Sequence, residues 1–430
     1  MNFRNLFTLV IILNSLPAAS SMAAGSVSLP LEGLIQTALE KNRDLQIAAL
    51  EIKRAKSRAR WSGRLSNPQL QISTSNDFAG LNEGESSQNL AFVQKFPVTS
   101  RLKQEKNVRR VELLLAEAEL AENRRALAYQ IHGLAVKLLA AKNTRAAQSR
   151  LIGLNKKITD FLHGRAQVGE ASKLDVTQMR LNGRSLIRQA SSLDAQMTKL
   201  YLALKQHLNI PTHQTLNVIG TLTLPDSLPS EKIGLATVLE NRPDYLSALI
   251  KADVARAELL LQKAKRWQDV GINLFAQSND EMDEPIGLER NTMLGIGFSI
   301  PLPLFNRNRQ GVEVAAINID AAKQESEKQK FVINNELSSA LQFRSAAWKL
   351  ANIAAEKDVQ LANQNYQDFK AAYENGQVSI IQVQRSQEQL IQLETVALQL
   401  QRSYHLADAA VRFTRGDYPS LKAPSSNSSN

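Results

Sequence analysis

The chain states one pattern twice. Ala38-Leu39-Glu40-Lys41-Asn42-Arg43-Asp44-Leu45 returns as Val238-Leu239-Glu240-Asn241-Arg242-Pro243-Asp244-Tyr245. Phe96-Pro97, closing an alternating segment, returns as Ile300-Pro301. Val168-Gly169-Glu170-Ala171-Ser172-Lys173-Leu174-Asp175-Val176 returns as Asn375-Gly376-Gln377-Val378-Ser379-Ile380-Ile381-Gln382-Val383. The order is kept, and the offset drifts only from 200 at Ala38 to 207 at Gly169. A repeat this long is a whole structural unit rather than a solenoid turn.

Each unit reads helix, strand, strand, long helix, tight turn, helix. In the first unit a helical pattern from Leu31 to Leu65 stops before Asn67-Pro68. Leu70 to Ser75 and Leu90 to Phe96 alternate as strands on either side of a polar loop, Ala79 to Ser87. Helix then runs from Arg101 to Val168, breaks at Gly169 and resumes from Ser172 to Leu208. In the second unit the helix is Leu235 to Arg266 and the strands are Val270 to Ala276 and Leu294 to Leu302. Asn279 to Asn291 reads as an acidic loop between them. Helices from Val312 to Glu374 and on to Arg415 follow.

The expected organisation is a signal segment over 1–24, a first repeat over 25–208, a connector over 209–231, a second repeat over 232–416 and a disordered tail over 417–430. The signal reading rests on Arg4, the apolar run Leu6 to Leu13 and the small residues near Ala23-Ala24. One short strand, Leu216 to Leu222, is expected in the connector.

The helices carry a coiled-coil period. Val383, Ser386, Leu390, Leu393, Ala397, Leu400, Tyr404 and Ala407 alternate spacings of three and four. Shifted by the repeat offset, this series falls on Val176, Met179, Gly183, Leu186, Ala190, Leu193, Met197 and Leu200. Arg101 to Val168 would make ~100 Å of helix, and two shorter helices stacked end to end match it. The predicted fold is mainly α with a small β part: a long antiparallel coiled-coil rod with a strand pair from each repeat at one end.

Leu294, Ile296, Phe298 and Ile300 share one face of the clearest strand, opposite Gly295, Gly297 and Ser299. That alternation suits a barrel with lipid outside and water inside, the alternative being a hairpin packed on helices. Four strands per chain cannot close a barrel in lipid without leaving edges unpaired, so a barrel needs several copies; three would give twelve strands.

There are no cysteines, which excludes disulfides and thiolate chemistry. The net charge of +11 is spread along helices among Glu residues, and with an export signal it does not point to nucleic acid. His132, His163, His207, His213 and His405 never pair at i, i+4, so neither a helical metal site nor a cofactor site is expected. Nothing reads as a catalytic constellation, so the chain is not expected to be an enzyme.

The duplicated order and the two glycine turns resemble the TolC-like outer-membrane efflux proteins. Ile300-Pro301-Leu302-Pro303-Leu304-Phe305-Asn306-Arg307-Asn308-Arg309-Gln310-Gly311 looks most like their heavy-metal and cation branch, the partners of RND pumps. The resemblance implies a homotrimer in the outer membrane of a Gram-negative bacterium, with a twelve-stranded transmembrane β-barrel and a helical tunnel in the periplasm. It implies an inner-membrane RND transporter and a periplasmic adaptor as partners. It puts Val168, Gly169, Ser172, Leu174, Asn375, Gly376, Ser379 and Ile380 against the adaptor. It puts a periplasmic constriction at Asp175, Gln382 and Arg385, less acidic than a ring of aspartates because Gln382 stands opposite Asp175 in the repeat. Export of drugs, or type I secretion, is the alternative within the family, and a poreless periplasmic scaffold the alternative outside it.

Overall fold

The computed structural model describes residues 27–77, 84–229, 234–283 and 285–419. The signal segment 1–24 and the tail from 420 lie outside the described residues.

The first repeat holds β1 (Val27–Pro30), α1 (Leu31–Lys41), α2 (Arg43–Trp61), β2 (Gln69–Asn76), β3 (Ser86–Phe96), α3 (Arg101–Gln167) and α4 (Lys173–His207). β4 (Leu216–Ile219) lies in the connector. The second repeat holds α5 (Leu235–Glu240), α6 (Pro243–Ala264), β5 (Val270–Asp283), β6 (Gly287–Ser299), α7 (Arg309–Ile353), a π-helical turn (Ala354–Asp358), α8 (Val359–Glu374) and α9 (Ile380–Arg415).

At 67 residues α3 is ~100 Å long and serves as the spine. α4 packs along one part of it, and α2 and α6 along the other. The shorter helices do stack end to end. Asn42, between α1 and α2, donates from Nδ2 to the His207 carbonyl at the end of α4 (3.1 Å). In the second repeat Arg242, between α5 and α6, reaches the Thr414 carbonyl at the end of α9 (3.4 Å).

These joints correct the expectation of one unbroken helix in each place. Asn42 is extended (φ −65°, ψ 128°) and caps α2, its Oδ1 accepting from the Leu45 amide (3.1 Å). Arg242 is extended because Pro243 follows it at the first position of α6. α2 also ends at Trp61, before Leu65.

Every residue of the two predicted seams is buried or half-buried. Near the turns the seams merge: Ile158, Leu162, Val176 and Met179 share a core with Tyr366, Ile380, Val383 and Leu390. A second core around Leu34, Ile131, Leu138, Leu204 and Leu216 fills the middle of the rod. There β4 pairs in parallel with β1, a strand the sequence reading did not anticipate.

At the far end four strands form one antiparallel sheet in the order β2-β3-β5-β6. The acidic loop expected over Asn279–Asn291 is largely strand: Asn279 pairs with Asn291, Asp280 with Arg290, and only the tip lies between Asp283 and Gly287. Backbone pairing carries these strands on past the Asp280–Arg290 pair, which interrupts the apolar face before Met282 and Leu288, so hydrophobic alternation could not mark it. Conversely, Ile300 to Leu302 lie beyond the end of β6. The start of the tail expected from 417 is ordered: Tyr418 is buried and its hydroxyl bonds His132 Nδ1 (2.6 Å).

Candidate channel wall and its two ends

The sheet register builds one apolar face. Leu70, Phe92, Leu274 and Ile296 form a row across all four strands, and Ile72, Leu90, Ala276 and Leu294 form the next. Ile272 and Phe298 continue it on the other side. Leu294 is 83% exposed, and Ile296, Phe298 and Ile300 are exposed with it. The apolar face ends abruptly at Thr74, Gln88, Ser278 and Thr292. Beyond that row Arg290 and Asp280 pair at 2.7 Å on the same face.

The opposite face is polar. Asn89, Asn273, Gln277 and Asn279 lie there, with Ser87 Oγ donating to Asn279 Oδ1 (2.8 Å). Gly295 and Gly297 leave room for their cross-strand partners. A β-carbon at Gly295 would lie 2.4 Å from the Phe275 ring, and one at Gly297 2.9 Å from Asn273 Oδ1. Among the described residues neither edge of the sheet, β2 or β6, has a further partner strand.

At the other end the two turns are built alike. Gly169 (φ +84°) and Gly376 (φ +71°) take the left-handed conformation that a helix stop requires. Glu170 donates its amide to the Arg165 carbonyl (2.8 Å), as Gln377 does to Ala372 (2.9 Å). Ser172 then caps α4 through the Leu174 amide (3.1 Å). Ser379 caps α9 in a reciprocal capping box with Gln382, whose Oε1 accepts from the Ser379 amide (2.9 Å).

Val168, Gly169, Ser172, Asn375, Gly376 and Ser379 are exposed, and Leu174 is 79% exposed. Ile380 corrects the expected contact set: it is 7% exposed, inside the core shared by the two hairpins. Its neighbour Ile381 is the exposed one and the true counterpart of Leu174. Asp175 and Gln382 hold the same third position of their helices. Gln382 and Arg385 are exposed and Asp175 half-buried. Among the described residues no ion pair joins Asp175 to Arg385.

Between the ends lies a charged cluster that periodicity did not reveal. Arg125 of α3 is 1% exposed and Arg242 is 2% exposed. Arg242 grips Asp244 in a two-pronged contact (2.5 and 3.0 Å) and Glu336 of α7 (2.8 Å). Arg125 grips Glu122 (2.8 Å), approaches Asp244 (3.6 Å) and lies over the Phe413 ring. Burial drives the Asp244 carboxyl upward, but its bonds with Arg242 outweigh that and leave it below the usual range. At Glu122, which Arg125 also bonds, burial wins and the carboxyl sits above its usual range. Arg344, also buried, pairs with Asp408 of α9 (3.3 Å). A signal for this cluster did exist: Arg242 replaces Asn42 within the first landmark of the duplication.

Among the described residues no group of three His, Cys, Asp or Glu side chains is placed to hold a metal ion, and no helix is long and apolar enough to cross a membrane.

Residues 235–416 match the family model for outer membrane efflux protein. The cation efflux system protein CusC of Escherichia coli is 25% identical over 398 residues, 85% of this chain and 81% of CusC. The cobalt-zinc-cadmium resistance protein CzcC of Cupriavidus metallidurans is 22% identical over 376 residues, 87% of each chain. The fold is that of crystallised CusC (TM-score 0.71, 19% identity, 90% of this chain and 91% of that one). It is also that of the Campylobacter jejuni CmeC outer membrane channel (TM-score 0.73, 16% identity, 92% and 87%). The second repeat thus matches the outer membrane efflux protein family directly, and the relatives from cation efflux systems align across both repeats.

Proposed function

We propose that three copies of this chain form the outer-membrane exit duct of a tripartite efflux system that carries heavy-metal cations out of the cell. One observation carries the reading: an open four-stranded sheet with an exposed apolar face, a polar reverse face and two unpaired edges, mounted on a rod ~100 Å long. Unpaired edges in lipid are too costly to persist. Joining β6 of one copy to β2 of the next satisfies both, and three copies close the twelve-stranded barrel within the known size range. The apolar rows then face lipid and the Asn, Gln and Gly face a water-filled lumen.

The glycine turns lie at the opposite end, where a periplasmic adaptor would dock, with Leu174 and Ile381 as the matched exposed apolar contacts. Below them Asp175 and Arg385 are the candidates for a constriction, whereas Gln382 is engaged in capping α9. Such a duct breaks no bonds; an inner-membrane RND transporter would supply the driving force. The metal substrate rests on the named roles of CusC and CzcC.

A deletion strain tests this. Loss of tolerance to at least one of zinc, cobalt, cadmium, copper and silver, restored by the intact gene, is the expected result. Unchanged metal tolerance with a new sensitivity to drugs or a secretion defect would move the duct to another pump. Recovery of the protein as a soluble periplasmic monomer would leave only the scaffold reading.

A further inference from the structure

The apolar rows are shorter than a membrane. Leu294 to Ile300 covers ~20 Å along the strand, or ~15 Å along the membrane normal at the usual barrel tilt. An outer-membrane barrel carries an apolar band ~25 Å tall. The band cannot extend outward past Thr74, Ser278 and Thr292, where the Asp280–Arg290 pair follows. The missing height must come from the rod side, where the sheet meets the helices.

That junction carries a tryptophan in each repeat, preceded each time by an arginine: Arg60-Trp61 at the end of α2 and Arg266-Trp267 just after α6. Both indoles are about half exposed. Arg64 lies over the Trp61 ring at 3.8 Å and Arg60 at 5.6 Å. Gly63 makes this stacking possible. Its φ of +65° turns the linker back, and a β-carbon there would lie 2.5 Å from the Leu102 carbonyl oxygen. The linker is thus pressed against the start of α3 with Arg64 folded over the indole. Among the described residues no carboxylate pairs with Arg60, Arg64 or Arg266. The guanidinium stacked on an indole keeps its N–H donors free, and its planar fork suits a phosphate.

We infer that Trp61 with Arg60 and Arg64 forms a binding site for the headgroup of an anionic phospholipid in the periplasm-facing leaflet, with Arg266-Trp267 as a weaker second copy. The indoles complete the apolar band at the interface, where tryptophan is favoured. The arginines select for negative charge. The inference rests on the barrel reading above.

The test uses the full chain in phosphatidylethanolamine vesicles containing a small, equal fraction of brominated phosphatidylglycerol or brominated phosphatidylethanolamine, since bromine quenches nearby indoles. The protein has three tryptophans. Trp348, in the rod, donates to the Pro225 carbonyl (3.0 Å), and in a Trp61→Phe, Trp267→Phe chain it serves as the remote control, quenched by neither lipid. In the Trp267→Phe, Trp348→Phe chain, Trp61 should report about fivefold stronger association with the phosphatidylglycerol. Arg64→Ala should abolish most of that preference while leaving the far-ultraviolet circular dichroism intact. Equal quenching by both lipids overturns the headgroup site. So does an unquenched Trp61 when a Phe298→Trp probe, in a chain with all three native tryptophans replaced by Phe, is quenched. If the Phe298→Trp probe is also unquenched, the barrel reading fails too.

Discussion

The two repeats hold their helices together at the same place by opposite means. In the first, Asn42 joins α2 to α4 with neutral hydrogen bonds. In the second, Arg242 joins α6 to α9 inside a cluster of five charged groups with Arg125, Glu122, Asp244 and Glu336. The exchange continues along the long helices. Setting the start of α7, Arg309, against the start of α3, Arg101, places Arg125 opposite Ile333, His132 opposite Ala340 and Val136 opposite Arg344. All six are buried. Where one repeat buries a polar or charged group, the other buries an apolar one. A duplicated backbone has therefore been filled by two complementary cores, and neither repeat can replace the other in the shared interior.

The comparison is most directly broken at Arg242. Arg242→Ala strands Asp244 and Glu336, and breaking one side of a buried ion pair costs ~3–5 kcal/mol. The midpoint of denaturant unfolding should fall accordingly; a change under about 1 kcal/mol would show that Arg125 alone satisfies Asp244.

Next in size is a pH effect at His132, whose place in the second repeat is taken by Ala340. Burial chiefly holds His132 down to about 4, with Arg412 adding to the depression. The unfolded chain takes up a proton near the ordinary value of 6.5 while the folded chain stays neutral there. Stability is thus complete above pH 6.5 and is lost as pH falls toward 4, by about 3 kcal/mol. His132→Ala, which copies Ala340, should flatten the unfolding free energy over that window.

Asn42→Ala removes a single neutral cap and should cost ~1 kcal/mol. If it matched Arg242→Ala, the two joints would be energetically alike and the contrast between them would be empty. The smallest effect belongs to the turns. Gln382→Ala removes half of a capping box, and Asp175→Ala removes an acidic group from the first turn of α4, each worth ~0.5 kcal/mol. Hydrogen exchange of the first-turn amides of α9 and α4 should register these losses locally, without a shift in the global midpoint.

These contrasts also mark how far residue patterns could be read. The duplication, the seams and the glycine turns were legible because each depends on neighbours within a few residues. Burial of Arg125, Arg242 and Arg344 was not, because each is also met by a group from another helix (Phe413, Glu336 and Asp408), and a periodicity argument assigns arginine to the surface. Ile380 was taken for Ile381 because a one-residue step at a helix start turns a side chain by ~100°. The outer part of the β5–β6 hairpin was missed because Ser278, Thr292, Asp280 and Arg290 interrupt its apolar face, while Leu70 to Ser75 alternated plainly. The correct relation between the repeats at Asn42 and Arg242 was visible in the aligned landmark, but its meaning needed the helix ends to be seen meeting.

The unpaired edges of β2 and β6 have a kinetic consequence. In the barrel proposed above, a sheet that closes only with its neighbours makes assembly an encounter between chains, so its rate would depend steeply on how many newly made copies are present together. Until they meet, each copy carries two open strand edges and an uncovered greasy face, the features that drive sheets to aggregate. The helical rod can fold on its own schedule; the sheet must wait. On that proposal a cell making too little of this protein would lose working ducts faster than in proportion, and one making too much would accumulate sticky, half-finished copies.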